Sequence, residues 1–179
     1  MQRLGVVVAM CALSAACAST GAVPQPFPRP AGSAPAGGAR TPERPVAAPA
    51  GPLTPAQALG HRLASTALEF RGVPYRNGGT DPAGFDCSGL VAFVFSQHGH
   101  PVPRQTSAQF TVGRAVPRGE LRAGDLVFFS TVAPGASHVG IALDDDEFVH
   151  APSSTGVVRV ERLTTSYWRT RFVGARRLD

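Results

Sequence analysis

Asp86-Cys87-Ser88-Gly89-Leu90-Val91-Ala92-Phe93-Val94-Phe95 is the stretch of the sequence that decides the fold. Its large apolar side chains recur at helical spacing and predict a helix from Asp86 or Cys87 to His98, with Gly99 ending it. Cys87 then lies in the first turn, where unpaired amide groups and the helix dipole favour a reactive thiolate. A small buried core residue would suit the same position, so Cys87 alone leaves both interpretations open.

Two further helices are predicted on either side of this stretch. Thr54-Pro55-Ala56-Gln57 forms a capping box, and an apolar stripe follows it at Leu59, Leu63, Ala67 and Phe70. A short third helix is expected to start at Thr106, because Thr106 and Gln109 repeat the capping-box spacing.

After Gly124 the apolar pattern changes to the alternation of strands. Strands are predicted over residues 126–130, 138–143, 147–151, 157–162 and 171–177. Helices come first and a mainly antiparallel sheet of about five strands comes second. This order indicates an α+β domain rather than alternating parallel units.

The strand that begins at His138 offers a base for the cysteine. His138, Gly140 and Ala142 share one face, because side chains alternate along a strand. We expect the small neighbours of His138 to leave space for the Cys87 helix beside the imidazole ring.

A second histidine follows after a turn of three aspartates, residues 144–146. A hairpin loop of odd length centred on Asp144 would place His150 directly opposite His138, with the Cβ atoms roughly 5 Å apart. His150 could then hydrogen-bond the far nitrogen of His138 and orient it as the third member of a triad. A bulge or an even-numbered loop would break this prediction.

The N-terminal residues predict export. Residues 1–16 carry Arg3 and a short apolar run, as a signal peptide does. Leu13-Ser14-Ala15-Ala16-Cys17 resembles a bacterial lipobox, although Ser14 stands where leucine is usual. We expect Cys17 to be lipidated and to become the first residue; plain cleavage, which leaves a soluble periplasmic protein, is the alternative. Because Cys11 leaves with the signal, Cys87 remains as the thiol of the exported protein.

A tether and one domain make up the rest of the chain. Residues 17–53 are rich in Pro, Ala and Gly and predict a disordered tether, and residues 54–179 predict the folded domain. Arginine and acidic residues nearly balance in this domain, without a basic stripe, so nucleic-acid binding is not expected.

The predicted domain resembles the NlpC/P60 cell-wall peptidases from about Thr54 to Arg177. The resemblance is carried by Pro74-Tyr75-Arg76-Asn77-Gly78-Gly79, Asp86-Cys87-Ser88-Gly89-Leu90, Gly124-Asp125-Leu126-Val127-Phe128-Phe129, His138-Val139-Gly140-Ile141, Phe148-Val149-His150-Ala151, Tyr167-Trp168 and Arg171-Phe172-Val173-Gly174-Ala175-Arg176. It implies a papain-like α+β fold and a thiol protease that needs no cofactor and no metal.

The resemblance also implies a role for each site residue. Cys87 would attack an amide, His138 would activate it, and His150 would orient the base. Tyr75 would help the Cys87 amide to hold the oxyanion, and Asp86 and Ser88, beside Tyr75, would bind the free amino end of a peptidoglycan stem peptide. Family members usually cleave the bond between D-glutamate and diaminopimelate.

These expectations place a monomeric hydrolase at the periplasmic face of the envelope, anchored by its lipid. Ala18 stands where an aspartate would signal inner-membrane retention, which favours the outer membrane. Three alternatives remain open: a zinc site formed by Cys87, His138 and His150, a catalytically inactive wall-binding lipoprotein, and a papain-like amidase that cuts between sugar and peptide.

Overall fold

The computed structural model describes residues 51–153 and 156–178. The predicted signal, Cys17 and all of the tether before residue 51 lie outside the described residues. The helices are α1 (Pro55–Glu69), α2 (Cys87–Gln97), α3 (Thr106–Gln109), a 3-10 turn (Arg118–Glu120) and α4 (Ser166–Arg169). The strands are β1 (Thr80–Asp81), β2 (Gly84–Phe85), β3 (Arg114–Val116), β4 (Leu126–Phe129), β5 (His138–Ala142), β6 (Glu147–His150), β7 (Arg159–Arg162) and β8 (Phe172–Arg177).

Six strands form one antiparallel sheet in the order β3-β8-β4-β5-β6-β7. Strands β1 and β2 form a separate two-stranded hairpin immediately before α2. The predicted α+β class is confirmed, with one more strand in the main sheet than the sequence predicted. The missed elements β1, β2 and β3 are two or three residues long, too short for alternation to identify them.

The main sheet separates two apolar cores. Leu126 and Phe128 of β4 join the core under α1 and α2, whereas Val127 and Phe129 join a second core that contains Trp168 of α4. This division follows from alternation, because successive side chains of a strand leave opposite faces. Both faces of β4 and β5 are therefore fully covered.

The starts of α1 and α2 are fixed by side-chain caps. Thr54 accepts from the Gln57 amide and Gln57 accepts from the Thr54 amide, so the predicted capping box is present. Asp86 caps α2, and α2 ends at Gln97 before Gly99, whose φ of 77° suits glycine.

The predicted cap of the third helix is wrong. Gln105, not Thr106, is the N-cap of α3, and its side chain makes no capping hydrogen bond. Thr106 is the first helical residue, and Gln109 is fully buried with its side-chain amide donating to the Ser88 carbonyl.

None of the helices formed by residues 51–153 and 156–178 combines the length and apolar character needed to cross a bilayer.

Candidate active site

Cys87 is the first residue of α2 and packs, half-buried, beside the helix-side core. The turn before it comes very close to the helix, because the Gly79 carbonyl oxygen lies where a side chain on Gly89 would begin, 1.9 Å from an added Cβ atom. Only glycine at position 89 allows this approach. The contact fixes the loop of residues 76–79 against the first turn of α2.

The sulfur of Cys87 lies between α3 and β5. It is 3.8 Å from the hydroxyl oxygen of Thr106 and accepts from the backbone amide of Val139, the residue after His138. The backbone of Ser88 supplies a further hydrogen bond. These contacts place the sulfur against the strand that carries the predicted base.

Burial raises the pKa of the Cys87 thiol, and the charge of Asp86 adds to that rise. The hydrogen bonds from Thr106, Val139 and Ser88 act in the opposite direction. The sequence-based expectation of a favoured thiolate is therefore not met in the resting protein, because desolvation of the sulfur outweighs the hydrogen bonds that lower its pKa.

The Asp86 carboxylate is surrounded by hydrogen-bond donors. Its Oδ1 accepts from the Gly89 amide at 2.7 Å and from Nη1 of Arg104 at 2.9 Å. Its Oδ2 accepts from the Gly78 amide at 3.0 Å and from Nη2 of Arg104. Arg104 Nη1 also donates to the Ser88 hydroxyl at 2.7 Å. The two residues expected to bind an amino group are thus both bound to a guanidinium.

Tyr75 belongs to the same cluster of polar groups. Its backbone amide donates to Gly156, and its half-buried ring packs against the helix-side core. Desolvation raises the pKa of its phenol, and the nearby Cys87 and Asp86 add to the rise while Arg104 opposes it. Tyr75 therefore lies close enough to Cys87 and Asp86 for their charges to act on its phenol.

His138 and His150 form a buried hydrogen-bonded pair, with Nε2 of His138 2.8 Å from Nδ1 of His150. The register between their strands differs from the predicted one. Ile141 lies opposite Val149 and Leu143 donates to Glu147, so the loop is centred on Asp145.

His138 and His150 are consequently diagonal neighbours rather than direct partners. The shift of one pair keeps both on the same face, because strand periodicity is two. Gly140 takes the place opposite His150, and an added Cβ there would lie 3.3 Å from the His150 Cβ atom and 2.6 Å from the Phe148 ring. The missing side chain makes room for the two rings to meet.

The face of His138 is turned away from the Cys87 helix, contrary to the prediction. Val139 and Ile141 pack with α2 in one core, while Ala142 and Phe148 belong to the other. The space beside the histidines is filled by Trp168, which stacks on His138 with ring centroids 5.8 Å apart and meets His150 edge-on at 5.0 Å. The Cys87 sulfur meets β5 at the backbone amide of Val139, next to His138 along the strand.

Burial lowers the pKa of His138 to about 3 and that of His150 well below its ordinary value. Both imidazoles are therefore neutral at physiological pH, as is the thiol. Within residues 51–153 and 156–178, no group of three or more histidine, cysteine or acidic side chains is arranged to hold a metal ion. Nε2 of His138 and Nδ1 of His150 point at each other.

Comparison with known proteins identifies the fold. The model of the NlpC/P60 family matches residues 72–177. The chain belongs to the NlpC/P60 family. A crystal structure of an NlpC/P60 protein from Bacillus cereus ATCC 10987 superposes with a TM-score of 0.62 at 34% identity, over 66% of this chain and 39% of that one.

Two curated relatives of this NlpC/P60 chain act on different substrates. The chain is 41% identical over 118 residues to Murein DD-endopeptidase MepS/Murein LD-carboxypeptidase of Escherichia coli (strain K12), covering 65% of this chain. It is also 41% identical over 116 residues to gamma-DL-glutamyl hydrolase of Bacillus subtilis (strain 168), covering 63% of this chain. The chain spans 62% and 28% of the lengths of these two relatives.

The NlpC/P60 domain contains four site neighbours that sequence reasoning missed: Arg104, Thr106, Gln109 and Trp168. The first three belong to one segment and contact Asp86, Cys87 and Ser88 from a distance of 16 to 21 residues along the chain. Arg104 has no acidic residue near it in sequence, which signals a distant partner. The capping-box spacing predicts a capping role for Gln109 and gives no sign of its contact with Ser88.

Proposed function

We propose that this protein is a peptidoglycan endopeptidase that hydrolyses an amide bond of stem peptides by acyl transfer through Cys87, His138 and His150. One observation carries the proposal. The Cys87 sulfur sits at the start of α2 against the Val139 amide, and the neighbouring His138 is held by a buried histidine partner. This is the order of nucleophile, base and orienting group that amide hydrolysis by a cysteine needs.

The resting thiol and imidazole are both neutral, which determines how the first step runs. His138 takes the thiol proton at Nδ1 as the sulfur attacks the carbonyl carbon, since its Nε2 is engaged with His150. His150 accepts a hydrogen bond from Nε2 and stabilises the imidazolium that forms. His138 then returns the proton to the leaving amine, and water releases the acyl group from the sulfur.

The developing oxyanion is held by the Cys87 backbone amide and the Tyr75 hydroxyl. The first amide of a helix has no partner within the helix and points outward from its start. The raised pKa of Tyr75 keeps its phenol protonated, so that it can donate a hydrogen bond. Neither group needs a metal or a cofactor.

The D-glutamyl-diaminopimelate bond is the first candidate for cleavage, with Asp86, Ser88 and Tyr75 binding the free amino end of the stem peptide. A crosslink bond between two D-configured centres is the second, because Arg104 already occupies Asp86 and Ser88. An incoming ammonium group would have to compete with this guanidinium. The name of the relative from E. coli, a murein DD-endopeptidase, also supports the crosslink bond as a candidate.

Digestion of purified peptidoglycan tests the function and the bond together. The full-length protein and a Cys87→Ala variant are incubated with peptidoglycan, and the soluble products are identified by mass spectrometry. We expect products from the wild type alone, at masses that distinguish the two peptide bonds from cleavage between sugar and peptide. Equal release by both proteins would refute Cys87 as the nucleophile and favour the wall-binding alternative.

The zinc alternative has its own measurement. A site formed by Cys87, His138 and His150 would retain one equivalent of zinc after dialysis, which elemental analysis of the purified protein would detect. Retained zinc together with loss of hydrolysis on chelation would replace the acyl-transfer mechanism.

We also propose that the domain works at the periplasmic face of the cell envelope as a lipid-anchored monomer, with Cys17 carrying the lipid. The support is the sequence pattern at residues 1–17 and the peptidoglycan substrate implied by the family. A Cys17→Ser variant should leave the membrane fraction when cells are lysed and centrifuged. Retention in that fraction would argue against the lipid.

A further inference from the structure

A threonine hydroxyl from α3 contacts the sulfur of Cys87. Oγ1 of Thr106 lies 3.8 Å from Sγ, a hydrogen-bonding distance for sulfur. Thr106 is the first residue of a four-residue helix, 19 positions away from the cysteine. Its neighbour Ser107 is exposed and lies on the same short helix.

The segment that carries Thr106 is fastened to the start of α2 at both ends. Arg104 donates to Asp86 and Ser88 on one side of it. On the other side, the fully buried Gln109 donates to the Ser88 carbonyl at 3.0 Å and to the Pro103 carbonyl at 2.7 Å. Because these bonds already hold the segment in place, Thr106 loses little further conformational entropy when it contacts the sulfur.

We propose that Thr106 is a further residue of the active site, which donates its hydroxyl hydrogen to the Cys87 sulfur and stabilises the thiolate. The inference rests on the proposed function, in which Cys87 is the nucleophile. A thiol can donate to Thr106 or accept from it, whereas a thiolate can only accept. Because a hydrogen bond to a charged acceptor is stronger than one between neutral groups, the contact favours the thiolate over the thiol.

Four other titratable or charged groups surround the sulfur. Asp86 precedes it on α2, Tyr75 and Arg104 approach it from the two flanking loops, and His138 precedes Val139 on β5. Asp86 disfavours the thiolate, and burial does so more strongly. The hydrogen bond from Thr106 therefore offsets part of the rise in the thiol pKa that burial and Asp86 cause.

The test measures how fast iodoacetamide alkylates Cys87 at a series of pH values. Full-length wild type is compared with Thr106→Val, which keeps the shape but loses the hydroxyl, and with Thr106→Ser, which keeps the hydroxyl. Ser107→Ala is the matched control, because it removes an exposed hydroxyl one residue away. Mass spectrometry of the tryptic peptide Asn77–Arg104, which contains Cys87 as its sole cysteine, isolates the relevant thiol.

We expect Thr106→Val to raise the thiol pKa by about half a unit to one unit, as the loss of one hydrogen bond implies. Alkylation below that pKa should slow about three- to tenfold, while Thr106→Ser and Ser107→Ala follow the wild type. An unchanged profile for Thr106→Val, or a Thr106→Ser profile that follows Thr106→Val, would overturn the inference. Because alkylation requires no peptidoglycan, a wild type that alkylates as expected but releases no products would count against the proposed function and not against Thr106.

Discussion

Nε2 of His138 and Nδ1 of His150 lie 2.8 Å apart, in a buried pair that bridges two neighbouring strands diagonally. The proposed mechanism gives His150 the role of accepting the Nε2 hydrogen. Replacement by asparagine retains an acceptor near Nδ1, and replacement by alanine does not. We expect His150→Asn to keep activity within about tenfold of the wild type and His150→Ala to lower kcat about 100-fold, with little change in KM. If His150→Asn and His150→Ala lowered kcat equally, His150 would act only by filling space and not as a hydrogen-bond acceptor.

The buried histidines also make the stability of the domain depend on pH. The pKa of His138 is about 3 when folded and near 6.5 when unfolded, so the unfolded chain binds the proton more readily. The free energy of unfolding should therefore fall as the pH is lowered from 6.5 toward 3, by up to about 1.4 kcal/mol per pH unit for one histidine. Urea unfolding at several pH values measures the slope. A His138→Gln variant should show a shallower slope, and an identical one would contradict the assignment.

The space at Gly140 is required for the histidine pair. A Cβ atom there would lie 2.6 Å from the Phe148 ring and 2.9 Å from the Val149 carbonyl oxygen, so Gly140→Ala should lower the free energy of unfolding by about 1–3 kcal/mol. Activity should fall as well, because His150 is displaced. Gly119→Ala is the control, since nothing lies within 4 Å of its added Cβ atom. Equal stability of the two variants in urea would count against the close approach.

Trp168 excludes water from both imidazoles. Its replacement by leucine should admit solvent and raise the pKa of His138 toward its ordinary value, which would move the acid limb of the kcat/KM profile to higher pH. Phe95→Leu is the matched control: it removes a buried aromatic ring from the other core and should lower stability without moving the acid limb. The proposed effect would be ruled out if both variants kept the wild-type profile.

Arg104 stabilises the start of α2 through Asp86. The Asp86 side chain is 13% exposed, so loss of its charged donors in Arg104→Gln should cost about 1–3 kcal/mol of unfolding free energy. Arg76 and Asp81 also form an ion pair, 2.6 Å long, but both of their side chains are about half exposed. Arg76→Gln should therefore change the free energy of unfolding by less than about 0.5 kcal/mol. Urea titration of the two variants measures the difference, and similar costs would contradict this account of Asp86.

The sequence predicted the elements that have a long apolar period or a strong cap. The Thr54 capping box and the α2 stripe are local patterns, and both appear where expected. The hairpin register could not be fixed in this way, because any odd loop within the aspartate run keeps the same alternation. Hydrogen bonding by Asp144 to the amides of Asp146 and Glu147 centres the loop on Asp145.

The residues around the site were predictable only when their chemistry was visible in a short motif. Cys87, His138 and His150 are reactive types in recognisable contexts. Arg104, Thr106 and Trp168 depend on where three separate segments meet, which the periodicity of any one segment does not determine. Trp168 in particular packs on histidines 18 and 30 positions earlier in the chain.

Strand β5 has the two cores on its opposite faces, the sulfur of Cys87 meets its backbone at Val139, and the imidazoles pack against Phe148 and Trp168. A directed-evolution library could therefore vary either layer of hydrophobic residues on its own, provided this single shared strand keeps its alignment. Thermostable variants of this domain are best sought by redesigning one layer at a time, with the backbone of residues 138–142 left untouched.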